Sequence, residues 1–137
     1  MPALLTTLNS AVFENTETGP FSVDYVISRN DGFSWGERGH VYKSPNNGHA
    51  GAPQVVNVGG TIIVDFMTNE DGGDCCGVDN GAMKTVRSDD QGRSFGGLTT
   101  IGQVGSHWPG MLSLDNNRFL AMYGLNGQGM VAAAWNK

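Results

Sequence analysis

Two eight-residue segments share one pattern: Ser28-Arg29-Asn30-Asp31-Gly32-Phe33-Ser34-Trp35 and Ser88-Asp89-Asp90-Gln91-Gly92-Arg93-Ser94-Phe95. Both follow Ser-x-Asp-x-Gly-x-Ser-aromatic, except that Asn30 stands where the second segment has Asp90. A short acid or amide at the third position can accept hydrogen bonds from local backbone amides, and the glycine can adopt a positive φ. We therefore predict that each segment forms a tight turn between two strands, with its aromatic ring filling the space between them.

The two turns occupy the same place in a longer repeat. In three stretches a proline is followed by an apolar strand, a tight turn and a second apolar strand; the prolines are Pro2, Pro53 and Pro109, and the turns are predicted at Asn9-Ser10, Gly59-Gly60 and Asn116-Asn117. Third strands are predicted at 21–27, 82–86 and 130–135, and fourth strands at 40–42 and 99–101. A repeat of four short strands is typical of propeller blades. We expect one partial β-propeller over 1–137, with blades at 1–48, 49–105 and 106–137, the last incomplete.

Composition and charge narrow the classes of function. The net charge is −5, with 8 Lys and Arg against 13 Asp and Glu, which argues against a nucleic-acid partner. The longest apolar runs, 61–67 and 130–135, are far shorter than the ~20 residues that span a bilayer. We expect a turn-rich all-β protein without a nucleic-acid or membrane partner, whose ligand is neutral or weakly polar, such as a sugar.

The cysteines and the beginning of the sequence leave the compartment open. Cys75 and Cys76 are adjacent and can pair with each other only through a strained ring, so reduced thiols in a loop are the simpler interpretation. Met1-Pro2-Ala3-Leu4-Leu5 has neither the charged start nor the apolar length of a signal peptide.

The two turn segments resemble the Asp-box of sialidase-like β-propellers. Together with 13–19, 51–55, 65–71 and 106–110, they are similar to the later blades of fungal BNR-repeat proteins, and within that group to six-bladed exo-arabinanases. The resemblance implies an all-β fold: an incomplete portion, about three blades, of a six-bladed sialidase-like β-propeller with Asp-box hairpins. Asp-boxes are structural fasteners, so a structural role is implied for Ser28, Asn30, Gly32, Trp35, Ser88, Asp90, Gly92 and Phe95.

The resemblance also implies an activity. The complete form is expected to be a carbohydrate-active exo-glycosidase that retains configuration by means of two glutamates, and to be secreted if it is like the fungal proteins. Glu14 matches the acid/base glutamate, and it follows an apolar strand, where an aromatic neighbour can raise the pKa of a carboxyl group. The second glutamate is expected on an earlier blade, so we expect this chain alone to be inactive. The alternative is a non-catalytic carbohydrate-binding or scaffold propeller, in which Glu14 faces water or a lysine.

Five further residues are candidates for sugar contacts: Trp108, His107, Asp65, Gln54 and Tyr25. Trp108 and His107 begin an inner strand, where a tryptophan can stack on a sugar ring or pack beneath the pocket. Asp65 lies within an apolar strand, so a buried, hydrogen-bonded role is the alternative there. The acidic run 70–79 lacks the spacing of a calcium loop, and we predict no metal and no cofactor.

An incomplete propeller leaves surfaces exposed that indicate which partners it has. Its terminal blades expose strand edges and apolar faces, which invite pairing. Besides an oligo- or polysaccharide, we expect either the missing part of the propeller or a second copy of the chain to cover these surfaces.

Overall fold

A computed structural model describes residues 9–17, 19–74 and 77–137, and these residues form ten strands and no helix. The strands are β1 (Asn9–Asn15), β2 (Ser22–Ser28), β3 (Arg38–Tyr42), β4 (Ala50–Val58), β5 (Thr61–Thr68), β6 (Ala82–Ser88), β7 (Gly96–Gly102), β8 (Ser106–Ser113), β9 (Arg118–Leu125) and β10 (Gly129–Asn136). A search of the described ranges for a helix long and apolar enough to cross a membrane finds none.

The strands form three antiparallel sheets, each a meander in sequence order. The first sheet is β1-β2-β3, the middle sheet is β4-β5-β6-β7 and the last sheet is β8-β9-β10. The predicted turn at Gly59-Gly60 joins β4 to β5, where both glycines have positive φ, and the one at Asn116-Asn117 joins β8 to β9. Each predicted third and fourth strand is also present.

One predicted turn is wrong. Asn9 and Ser10 belong to β1, where they pair with Ser28 and Ile27 of β2. Both residue types also tolerate extended backbone, and an unbroken ladder of seven residue pairs joins β1 to β2, which satisfies backbone groups that a turn would leave unpaired. The strand expected before that turn, at 2–8, lies outside the described residues, as do Cys75 and Cys76.

Two apolar clusters join the sheets, and β5 contributes to both. Val64 and Phe66 pack towards the first sheet, whereas Ile63 and Met67 pack towards the last sheet. This is the alternation of side chains along a strand that is covered on both faces. We call the contact of the first and middle sheets the first junction, and that of the middle and last sheets the second junction. We call β4 and β8, the first strands of the middle and last sheets, the inner strands. Strand β4 lies beside both β8 and β1 of the first sheet. The three sheets are therefore neighbours in sequence order and adjoin along these strands.

The two eight-residue segments form the turns between β2 and β3 and between β6 and β7, with the same hydrogen bonds. In the first, the amide of Gly32 donates to Ser28 Oγ at 2.8 Å and that of Ser34 to Asn30 Oδ1 at 2.8 Å. The corresponding bonds in the second, to Ser88 Oγ and Asp90 Oδ1, are both 2.9 Å. Bonds from the side chain and amide of Ser94 and from Ser88 lower the pKa of Asp90 to about 2.

Candidate functional site

The inner strands of the middle and last sheets each begin with a bulge. The register with the neighbouring strand shifts between Gly51 and Gln54 in β4, and between His107 and Gly110 in β8. Within the bulges Ala52 has φ 50° and Trp108 has φ 52°. A non-glycine residue in this region costs ~1–3 kcal/mol and is found where the surrounding structure holds it, often at functional sites.

Each bulge is held by a hydrogen bond to the preceding sheet. The Ala52 amide donates to Glu14 Oε2 at 2.9 Å, and the Trp108 amide donates to Met67 Sδ at 3.2 Å. Glu14 and Met67 are both the next-to-last residue of their strands. Gly51 leaves room for the Glu14 side chain, since a Cβ at that position would overlap the carboxylate. The predicted acid/base residue therefore lies against the bulge of the middle sheet.

A cleft of about 280 Å³ opens beside the second bulge, and we call it the Trp108 cleft. It is lined by Asp74, Asp79, Asn80, His107, Trp108 and Asn126. Trp108 is 67% exposed, and the His107 Nδ1 atom is buried without a hydrogen-bond partner among the described residues. Asn126 Nδ2 donates to Asn80 Oδ1 at 2.9 Å, and Asn80 Nδ2 to Asp74 Oδ2 at 3.1 Å.

The chemistry of this cleft suits a polyhydroxylated ligand. An exposed indole ring offers a flat apolar face, and carboxylates and amides accept and donate hydrogen bonds to hydroxyl groups. The search for three or more metal-ligating side chains in one place, made over the described residues, finds no such group.

Asp65 does not line the cleft, and its assignment as a sugar contact stays a prediction. It is fully buried on the face of β5 between Ile63 and Met67, which packs in the second junction. Neither carboxylate oxygen has a hydrogen-bond partner among the described residues. Burial raises the pKa of Asp65 to about 7, an effect that the nearby Gln54 backbone offsets only in part.

Tyr25 and Gln54 lie elsewhere. Tyr25 packs in the first junction, with its ring centroid 6.0 Å from that of Phe95, and its assignment as a sugar contact stays a prediction. Gln54 is exposed on β4 at the end of the first bulge. Of the predicted site residues, the structure brings together only His107 and Trp108 in one cleft.

Sequence reasoning missed a buried charged cluster in the first junction. Lys84 Nζ lies 2.6 Å from both Glu70 Oε1 and Asp71 Oδ2, and the Tyr42 hydroxyl donates to Glu70 Oε2 at 2.7 Å. Burial opposes ionisation, but the hydrogen bonds from Lys84 and Tyr42 outweigh it and lower the pKa of Glu70. Burial and the neighbouring Glu70 carboxylate raise the pKa of Tyr42. A lysine within the apolar strand β6 was the available signal, since buried lysines require partners.

Sequence reasoning also missed the four cleft residues outside β8: Asp74, Asp79, Asn80 and Asn126. The acidic run 70–79, which contains Asp74 and Asp79, was considered only as a calcium loop, and its spacing does not fit one. Nothing local in the sequence indicates that the loop after β5 meets the turn after β9, because the two are about fifty residues apart.

No family model matches the sequence, and no curated protein matches it significantly. Several solved structures are similar to it, among them the following two. A protein of unknown function from Dyadobacter fermentans DSM 18053 has a TM-score of 0.71 and 22% identity, over 93% of this chain and 34% of that one. The Hadza microbial sialidase Hz136 has a TM-score of 0.56 and 16% identity, over 83% of this chain and 28% of that one.

These likenesses establish the fold alone. The chain is all-β, and its three antiparallel sheets have a partial, sialidase-like β-propeller fold, as the sequence predicted. It spans about a third of the length of the solved structures it matches. The likeness to fungal exo-arabinanases stays a prediction.

Proposed function

We propose that this chain belongs to a carbohydrate-binding propeller and that it binds an oligosaccharide in the Trp108 cleft. One observation carries the proposal: an exposed tryptophan, held at positive φ, stands beside carboxylate and amide groups. The fold does not require an aromatic residue there, because Ala52 occupies the equivalent position in the other bulge. A strained position that carries a large exposed ring therefore favours recognition over packing.

The charge of the cleft favours a neutral sugar. Asp74 and Asp79 line it, and none of the described residues that line it is an arginine or a lysine. Two carboxylates would repel the carboxylate of a sialic acid. The name of the sialidase Hz136 therefore gives no reason to expect sialic acid as the ligand here.

The binding proposal is tested with Trp108→Ala, and Trp35→Ala is the matched control, because Trp35 is also partly exposed but lies in the turn after β2. Calorimetry against neutral arabino-, xylo- and gluco-oligosaccharides and against sialyllactose is expected to show binding of a neutral sugar. Trp108→Ala should weaken it by about tenfold or more, equivalent to ~1.4 kcal/mol, and Trp35→Ala should not. Equal loss in both variants, or no binding by the unaltered chain, contradicts the proposal.

A second candidate function is exo-acting retaining glycoside hydrolysis by a longer protein that contains this sequence, with Glu14 as general acid/base. The observation that favours it is the position of Glu14, whose carboxylate is fixed against the bulge of an inner strand by the Ala52 amide. Retention needs a second carboxyl group about 5–5.5 Å away, and we place that group on another blade. We propose that this chain alone is inactive.

The catalytic proposal is tested in the longer protein. Glu14→Gln should lower kcat on arabinan or a related polysaccharide by about a thousandfold or more, since general acid–base catalysis contributes 10²–10⁴-fold. Glu17→Gln, three residues away and exposed, is the control that should keep activity. Unchanged hydrolysis by Glu14→Gln would contradict the assignment of Glu14 as general acid/base, whereas no hydrolysis by the unaltered longer protein would leave the binding propeller as the function.

A further inference from the structure

Two carboxylates of the Trp108 cleft have no cation beside them. Asp74 and Asp79 are exposed and line the cleft. Neither of them forms an ion pair within the part of the chain that the structure describes. The loop itself brings the two residues together, because the Asp74 amide donates to the Asp79 carbonyl at 3.1 Å. The negative charge on this wall of the cleft is therefore uncompensated.

Other exposed carboxylates of the chain lie next to an arginine. Three such pairs are Glu37 with Arg29 at 2.6 Å, Asp89 with Arg87 at 2.7 Å and Asp115 with Arg118 at 2.8 Å. Pairs of this kind add little stability in water, but they neutralise the local charge. Because the described residues that line the cleft include no arginine and no lysine, a permanent cation at Asp74 and Asp79 would have to come from a ligand.

The hydrogen-bonding groups of the cleft also favour a ligand that donates. The side-chain amide of Asn126 donates to Asn80, which in turn donates to Asp74 Oδ2. This chain of bonds ends on a carboxylate and uses one N–H of each amide. The other Asp74 oxygen and both carboxylate oxygens of Asp79 accept no hydrogen bond from the described residues. Acceptors are thus in excess on this wall.

The indole ring of Trp108 attracts the same kind of ligand. The ring is 67% exposed, and its flat face can pack against a sugar ring. The face of an indole also attracts a cation that lies within about 6 Å of its centroid. The backbone keeps the ring in place, since Trp108 has φ 52° and its amide donates to Met67 Sδ. The carboxylates and the indole together suit a sugar ring that carries a positive charge.

We propose that the Trp108 cleft binds an amino sugar, that is, a sugar unit with a free ammonium group. The ring of the sugar packs on Trp108, and its ammonium group faces Asp74 and Asp79. The proposal rests on the proposed carbohydrate-binding function and narrows its ligand. The negative charge that disfavours a sialic acid in this cleft favours a basic sugar over a neutral one.

The test compares two disaccharides that differ in charge but not in linkage. Calorimetry is run with the β-1,4-linked glucosamine disaccharide and with cellobiose, which has a hydroxyl group in place of each amino group, at about pH 6.5, where most such amines are charged. The amino disaccharide should bind about tenfold more tightly than cellobiose in ~0.01 M salt. The preference should fall to about twofold in ~1 M salt, where the screening length is about 3 Å. The uncharged N-acetylated disaccharide should lack this salt-sensitive preference.

The double variant Asp74→Asn/Asp79→Asn tests the role of the two carboxylates. It keeps the shape of both side chains and removes both charges, so the preference for the amino disaccharide in low salt should fall to about twofold. The matched control is Glu17→Gln/Asp31→Asn, which also removes two exposed charges but leaves the lining of the cleft unchanged. The control should keep the tenfold preference.

The outcomes separate this proposal from the proposed function. Equal affinity for the amino disaccharide and cellobiose would overturn the amino-sugar proposal and leave the binding of neutral sugars in place. A preference that survives Asp74→Asn/Asp79→Asn, or that the control variant loses equally, would assign it to the net charge of −5 and would also overturn the proposal. If neither disaccharide binds and no neutral oligosaccharide does, the proposed function itself is contradicted.

Discussion

The two junctions are formed by equivalent strands, but they differ in whether their buried charged groups have partners. In the first junction the buried charges are compensated, because Lys84 meets Glu70 and Asp71, and Tyr42 reaches Glu70 from the neighbouring sheet. In the second junction Asp65 is buried without a partner among the described residues. Among the hydrogen bonds that join the sheets there is one from the Tyr123 hydroxyl to the Ile101 carbonyl at 2.9 Å, which does not involve Asp65.

The comparison of the junctions also shows which features every repeat needs and which ones vary between repeats. Both bulges need an acceptor for one backbone amide, and a carboxylate (Glu14) or a thioether (Met67) can supply it. The acceptor is thus fixed by the fold, whereas its chemical type is not. A glutamate at this place can therefore have been selected for its charge, which is the premise of the catalytic proposal.

The largest effect is expected from breaking the charged cluster of the first junction. Lys84→Met leaves the nearly inaccessible Glu70 carboxylate without its cation and should lower the free energy of unfolding by about 3–5 kcal/mol in urea denaturation. The double variant Lys84→Met/Glu70→Gln should recover more than half of the loss. A loss below about 1 kcal/mol in the single variant would mean that the cluster is solvated.

The unpaired carboxyl group of Asp65 in the second junction should make the free energy of unfolding depend on pH. The pKa of Asp65 is raised from 3.8 to about 7. As the pH rises, this carboxyl group therefore loses its proton at a lower pH in the unfolded chain than in the folded chain. The free energy of unfolding consequently falls as the pH rises from about 4 to 7. At ~1.4 kcal/mol per tenfold change in proton affinity, the loss reaches at most roughly 4 kcal/mol.

Asp65→Asn should abolish that fall and match the unaltered chain near pH 4, in urea denaturation at each pH. The exposed carboxyl group of Asp31 provides the control, since Asp31→Asn should keep the dependence between pH 4 and 7. If the curves of Asp65→Asn and the unaltered chain run parallel, Asp65 already has a partner.

The shared role of Glu14 and Met67 predicts an exchange between the junctions. Glu14→Ala leaves the Ala52 amide without an acceptor and should cost about 1–2 kcal/mol. Glu14→Met should cost less than about 1 kcal/mol, because a thioether performs the same role in the other bulge. Thermal unfolding followed by circular dichroism measures both. Equal destabilisation by the two substitutions would show that the charge of Glu14, and not its acceptor atom, holds the bulge.

The smallest difference is expected between the aromatic residues of the two turns. Phe95 packs in the first junction, whereas Trp35 is 47% exposed. Phe95→Ala should lower the free energy of unfolding by about 2 kcal/mol and Trp35→Ala by less than about 1 kcal/mol. The reverse order, measured in urea, would mean that the ring of Trp35 is the one that joins sheets.

The turns and strands were predictable because their signals are local. The repeated turn pattern places β2, β3, β6 and β7, and Gly59-Gly60 marks the hairpin of the middle sheet. Asn9-Ser10 misled because asparagine and serine occur in both turns and strands.

The orientation of side chains was not predictable in β5. This strand is apolar on both faces, so its pattern gives no indication of which residues face which sheet. The pattern therefore does not show that Asp65 lies on the face towards the second junction. The Trp108 cleft was only partly predictable, since its walls come from loops that meet through the packing of whole sheets.

The arrangement of the sheets around their inner strands is tested most directly by nuclear Overhauser contacts in the isotopically labelled chain. We predict contacts between the rings of Tyr25 and Phe95, and between the Met67 methyl group and the Trp108 amide proton. Contacts of Phe95 with Trp135 instead, or none between Met67 and Trp108, would contradict the order of sheets on which the cleft and both junctions depend.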